Sequence, residues 1–188
     1  MKQIKSFALL LVGSLLMNFS FGQKMMDEKT KEVGGAMMYP SKNIVENAIN
    51  SKDHTTLVAA VRAAGLVETL QSAGPFTVFA PTNKAFDMLP GGTVETLLKP
   101  ENKTMLADIL TYHVVPGRLG TKELDEWIKK GKGTAELTTV AGGKLWVMKK
   151  NGKYWLKDEK SGMAQITISN VYQSNGVIHV IDHVVIPK

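Results

Sequence analysis

Cysteine is absent from all 188 residues. That excludes disulfides, a thiol nucleophile, and the lipid attachment through which bacterial lipoproteins are anchored. No G-x-S-x-G elbow presents a strained serine. Gly131-Lys132-Gly133-Thr134 has the residue types of a phosphate loop without its spacing, and a hairpin-rich region follows where a helix is needed. No repeat runs through the chain. Long apolar runs are missing too, apart from Phe7 to Met17, which is short for a membrane-spanning helix and has no charged stop-transfer cluster after it. Catalysis by the familiar nucleophiles and a permanent transmembrane anchor are therefore not expected.

What is present begins with an export signature. Lys2 and Lys5 precede the apolar run, and Ser20-Phe21-Gly22 supplies small residues where a signal peptidase cuts. The expected organisation is a cleaved signal over residues 1–22, a flexible leader rich in methionine and charge over 23–39, and one domain over 40–188. About 165 mature residues suffice for one domain with an ordinary core. The formal charge of +6 falls to +4 once Lys2 and Lys5 are removed. Residues 129–160 hold nine lysines against Glu136, Asp158 and Glu159. Such a segment can meet an anionic polysaccharide, lipid headgroups or nucleic acid, but is more commonly a solvated hairpin face; arginines and interleaved aromatics, which nucleic-acid contacts favour, are scarce in it.

Patterning places helices in the first half. Ile44, Val45, Ala48 and Ile49 take helical spacing after Ser41, and Leu57, Val58, Val61 and Ala64 do so after Asp53, with Gly65 as the stop. His54 falls in that first turn and is expected at the surface or beside the cap. Phe76, Val78 and Ala80 alternate as a short buried strand, and Thr82 caps a helix from Asn83 to Leu89 that sends Phe86 inward. Helices follow over 93–98, from Pro100 to Leu110, and over 122–130. Tyr112 to Val115 reads as a strand, with His113 a core or boundary residue that can contact a ligand or partner. After Gly131, strand-length runs are separated by Gly-Gly, Asn-Gly and Ser-Gly turns. Helices first and antiparallel strands second indicate an α+β domain.

The histidines near the C-terminus are a candidate site. His179 and His183, with Asp182 between them, lie in an alternating β-branched run. On one strand they stand about 13 Å apart, too far to grip one ion, and the glutamate of a zinc-protease helix is missing. Met25, Met26, Met37 and Met38 are soft donors suited to Cu(I), on a segment with no histidine nearby. No metal ligand set and no cofactor site are assigned.

Three stretches together resemble the fasciclin domain family: GPFTVFAPTNKAFDMLP at 74–90, LTYHVVPGRL at 110–119 and SNGVIHVIDHVVIPK at 174–188. The resemblance extends over about Pro40 to Lys188. It implies an antiparallel β-sandwich or barrel-like core wrapped by short helices, with Thr82, Asn83, Phe86, Val177 and His179 as structural motif residues and Tyr112-His113 as a binding motif. It also implies a secreted, non-enzymatic adhesion or interaction module. The expected partner is a cell-surface or matrix protein or an anionic polysaccharide, and not nucleic acid. The alternative is an envelope protein that handles a small ligand or copper.

Overall fold

The computed structural model describes residues 29–188, so the expected signal over 1–22 and Met25 and Met26 lie outside the described residues. A short hairpin opens the described chain, β1 (Lys31–Val33) and β2 (Ala36–Met38), turned at Gly34-Gly35, whose φ values of 59° and 75° favour glycine. Residues 31–38 of the expected flexible leader, nearly half of it, are therefore a paired hairpin. Val33 and Met38 are buried in the same core as the first helices, and Lys31 donates to the Ser169 carbonyl at 2.6 Å. Three-residue strands are too short to display a period, and that is why the sequence hid them.

Helices α1 (Ile44–Ala48), α2 (Thr55–Ala64) and α3 (Val67–Gln71) follow. A capping box closes α1, with Asn43 accepting from the Glu46 amide and Glu46 accepting from the Asn43 amide. Gly65 ends α2 in the left-handed region at φ 73°, as its position after the apolar face predicts. The strand β3 (Phe76–Pro81) leads into α4 (Asn83–Asp87), capped by Thr82 as expected. After α5 (Thr93–Leu97) and α6 (Lys103–Tyr112) comes β4 (Val114–Pro116), and α7 (Thr121–Lys130) precedes the strand-rich half. That half contains β5 (Thr134–Thr138), β6 (Lys144–Lys150), β7 (Lys153–Lys157), β8 (Met163–Gln173) and β9 (Gly176–Ile181).

Seven strands form one sheet in the order β4-β3-β9-β8-β7-β6-β5. It curls into a nearly closed barrel, and the Val140 amide donates to the Val114 carbonyl at 2.7 Å where its two ends meet. The domain is α+β, and the pairing is antiparallel except between β3 and β9, which run parallel. That parallel pair was not legible because its partners lie about a hundred residues apart. Its consequence is visible in the sequence, however: every residue of Gly176–Ile181 is buried, as a strand covered on both faces must be.

Two cores result. Inside the barrel, Phe79, Leu124, Leu137, Leu145, Leu156 and Ile181 pack together. On the outer side of β3 and β9, Val78, Ala80, Ile178 and Val180 meet Leu57, Val61, Leu106 and Leu110 from the helices. The helices thus cover one half of the barrel. On the other half, the outward positions of β5, β6 and β7 are exposed or half-exposed.

Candidate functional site

The motif residues converge on the seam between the helical layer and the barrel. Tyr112 is the last residue of α6 and His113 is its C-cap, so the expected strand starts only at Val114. The two side chains therefore leave a helix end in different directions instead of alternating across a sheet. Both are buried. Tyr112 is 0 % exposed, its ring against Gly143, where an added Cβ would come within 2.7 Å of the ring. Its hydroxyl donates to the Lys144 carbonyl at 2.6 Å and accepts from the Glu159 amide at 3.1 Å. Burial pushes its pKa up to about 12, against the Glu159 amide bond, which lowers it.

His113 is 3 % exposed. Its Nδ1–H donates to the Ile109 carbonyl at 2.8 Å, and Nε2 accepts from the Val185 amide at 3.2 Å. That pair of partners requires the neutral ring with the proton on Nδ1. Burial brings its pKa down to about 4, with the Ile109 carbonyl and the Asp158 charge working in the opposite direction. The ring ties the C-terminal segment to the end of α6. Asp158 reinforces the same seam, accepting from the amides of Lys160, Gly162 and Ile186 at 3.0, 2.6 and 2.9 Å.

His179 sits at 0 % exposure inside the barrel, its ring 5.7 Å from that of Phe79. Nε2–H donates to the Leu119 carbonyl at 2.7 Å and Nδ1 accepts from the Asn170 amide at 3.4 Å. Burial again lowers its pKa to about 4. His183 does not share its strand, since β9 stops at Ile181. It is exposed, and its Nδ1 lies 2.8 Å from Asp182. The two histidines do not form one site.

The remaining motif positions are also committed internally. Asn83 accepts from the Thr56 amide at 3.0 Å and donates to the Lys52 carbonyl at 2.9 Å, clamping the start of α2. Phe86 and Val177 are core residues. His54, expected near the surface, is only 3 % exposed, because a 3₁₀ turn over Lys52–His54 rolls its ring inward. Its Nδ1 lies 2.8 Å from Ser51 Oγ, while Nε2 reaches the Ala80 backbone outside hydrogen-bonding geometry. Burial lowers its pKa, against the neighbouring Asp53 charge and the Ala80 backbone.

Sequence reasoning missed four polar residues. Asn175 is not only a turn former: it accepts from the Ile44 amide at 3.0 Å and donates to the carbonyls of Leu70 and Ser72 at 2.8 and 2.9 Å. Asn170, at φ 56° in an irregular stretch of β8, accepts from the Thr121 amide at 2.7 Å and so caps α7. Asn47 and Gln173 bond each other with no exposure at all. The turn signal at Asn175-Gly176 was readable, but the long-range partners were not.

An apolar cavity of about 260 Å³ lies between α1, α2, α3 and the outer side of β3 and β9. Ile44, Leu57, Val61, Phe76 and Ile178 line it, with His54 on its wall. Met37 and Met38 do not make a soft-metal pair: β alternation leaves Met37 47 % exposed and buries Met38 at 3 %. Among the described residues no cluster of three or more histidines or acids has the geometry of a metal site. No helix among them is long and apolar enough to cross a membrane.

A family model for the Fasciclin domain matches residues 52–187. Protein sll1483 of Synechocystis is 47 % identical over 160 residues, covering 85 % of this chain and 82 % of that protein. The immunogenic protein MPT70 of Mycobacterium tuberculosis is 34 % identical over 145 residues, covering 74 % of this chain and 66 % of its own length. Human periostin is 30 % identical over 146 residues, or 78 % of this chain and 16 % of the much longer periostin. The FAS1 domain pair of the insect cell adhesion molecule fasciclin I superposes with a TM-score of 0.69 at 17 % identity, covering 77 % of this chain and 51 % of that one, and shows the shared fold. With its three motifs built into one barrel-and-helix seam, the chain belongs to the fasciclin domain family.

Proposed function

We propose that this protein is a secreted, non-enzymatic interaction module that binds a cell-surface or matrix component outside the cytoplasm. The observation that carries the reading is the commitment of the motif side chains. Tyr112, His113, Asn83 and His179 spend their polar atoms on internal hydrogen bonds, so they position the seam and leave recognition to the surface. A buried histidine whose two nitrogens are both engaged offers neither a general base nor a ligand position. Fasciclin I, which has the same fold, is a cell adhesion molecule, and that role supports the same reading.

The mature chain, added to cells of the producing organism and to their isolated surface polymer, is expected to be retained on both. A chain that stays in solution with both at low salt contradicts the reading. Export is checked by the mass of the protein recovered outside the cytoplasm, expected to begin after Gly22; recovery of an uncleaved chain from the cytoplasm contradicts it.

The apolar cavity favours a second reading, the handling of a small ligand. A 150 Å³ apolar cavity accepts benzene, so 260 Å³ has room for about ten heavy atoms. Naphthalene, with ten carbon atoms, tests it by thermal shift: a rise in the melting temperature of the parent chain that disappears in Ala48→Phe, a residue of the cavity wall, supports this reading, and no rise dismisses it. Copper handling through the methionine pairs is not proposed, since Met37 and Met38 face opposite ways.

A further inference from the structure

The three tryptophans of the chain border one surface, a fact hidden by their spacing in the sequence. Register sets Trp146 directly opposite Lys157, Met148 opposite Trp155, and Lys150 opposite Lys153. The same alternation places Lys144, Trp146, Met148 and Lys150 of β6 outward, because Leu145 and Val147 fill the barrel at 0 % exposure. Leu156 does the same for β7 and turns Lys153, Trp155 and Lys157 outward. Trp127, 40 % exposed at the end of α7, adds a shallow depression at the β5 edge with Lys130, Thr134 and Glu136. Aromatics are therefore interleaved with the lysines, along β7 in Lys153, Trp155 and Lys157 as well as across the β6–β7 register.

The charge on this face is only partly compensated. Glu136 pairs with Lys144 at 2.8 Å and accepts from the Trp146 indole at 3.2 Å, which fixes that ring. Among the described residues, Lys150, Lys153 and Lys157 enter no ion pair. Lys150 and Lys153 face each other across a hydrogen-bonded ladder, an arrangement that costs stability unless an anion sits between them. Lys150 and Lys153 stand about 5 Å apart across the ladder, and Lys157 lies about 13 Å along β7 from Lys153. An extended chain of several acidic sugar rings spans that distance. Indole faces stack on the C–H faces of sugars, and lysines, as hydrated point charges on flexible stems, suit dispersed carboxylates better than the fixed forks arginine offers to phosphates.

We propose that the outward face of β6 and β7 is the docking surface for an acidic polysaccharide. Its rings stack on Trp146 and Trp155, and its carboxylates pair with Lys150, Lys153 and Lys157. The proposal rests on the interaction-module reading and names its partner and surface. Helices α2 and α6 pack over β3 and β9 on the other half of the barrel, and α7 borders this face only at β5, through Trp127.

The test uses the mature chain with polygalacturonate and hyaluronan as carboxylated probes, methyl-esterified polygalacturonate as the neutral control, and single-stranded DNA as the phosphate control. Binding to at least one carboxylated probe is expected, with loss as salt is raised from about 0.05 to 0.5 M and little binding to the ester. Lys153→Glu creates an ion pair with Lys150, so its melting temperature should hold or rise slightly while affinity falls about tenfold. Trp155→Ala should weaken binding by a similar factor, and Lys150→Gln by a few-fold. The proposal is overturned if neither carboxylated probe binds, if the ester binds equally well, if single-stranded DNA is held more tightly than either polymer, or if Lys153→Glu binds as the parent does. Retention on whole cells that survives Lys153→Glu would sink this surface and leave the interaction module standing.

Discussion

Replacing His113 isolates what the tyrosine-histidine motif does. In His113→Ala the Val185 amide and the Ile109 carbonyl lose their partners. Val185 is fully buried, so water reaches its amide poorly, and an unsatisfied buried group costs about 1–3 kcal/mol. Loss of the ring adds a void near the existing cavity, giving a total of about 3–4 kcal/mol. For a domain of this size, about 1 kcal/mol moves the melting temperature by about 2–4 °C, so a fall on the order of 10 °C is expected. His113→Phe keeps an aromatic ring, somewhat larger, and removes both hydrogen bonds, and should still cost about 2 kcal/mol or more. Calorimetry or urea titration of the two variants beside the parent is the assay. A phenylalanine variant that melts with the parent would refute the reasoning, because packing and not hydrogen bonding would then explain the residue. Unchanged stability with lost polysaccharide binding in His113→Ala would instead make the ring part of a binding surface.

Acid should unfold the domain through the same histidines. His113 and His179 are held near 4 when folded and titrate near 6.5 when unfolded. The unfolded state therefore binds more protons between those values, and the stability they contribute is intact above pH 6.5 and declines as pH falls toward 4. Urea titrations from pH 6.5 to 5 should show uptake approaching two protons on unfolding, and a flat profile contradicts the buried neutral rings. Asn175→Ala strands the Ile44 amide and the Leu70 carbonyl and should cost about 2–4 kcal/mol by denaturant titration. Tyr112→Phe loses one donor and one acceptor contact at Lys144 and Glu159 and should cost about 1–2 kcal/mol with polysaccharide affinity unchanged. Loss of affinity in that variant would move the working surface to the seam.

Local chemistry made much of this fold readable. Thr82 before Asn83, Gly65 after the apolar face of α2, and the run of β9, apolar but for His179, each state a boundary or a burial in neighbouring residues. The parallel β3–β9 pair, the inward turn of His54 and the reach of Asn175 depend on partners distant in sequence, which no local period encodes. The surface face was the hardest to read. Trp146 and Trp155 look like isolated aromatics in a lysine-rich segment, and only the β6–β7 register sets them beside Lys157 and the Lys150–Lys153 pair. The reading of that segment as poor in interleaved aromatics overlooked Trp155 between Lys153 and Lys157 on one face of β7.

The central claim is that the motif seam builds the domain while the outward face of β6 and β7 meets the partner. Two-dimensional ¹H–¹⁵N NMR of the mature chain, titrated with an oligogalacturonate, tests it in one experiment. The indole N–H signals of Trp146 and Trp155 and the backbone amides of residues 144–157 are predicted to shift together and saturate. Shifts confined to residues 109–115 and 183–187, with the two indole signals unmoved, would contradict it.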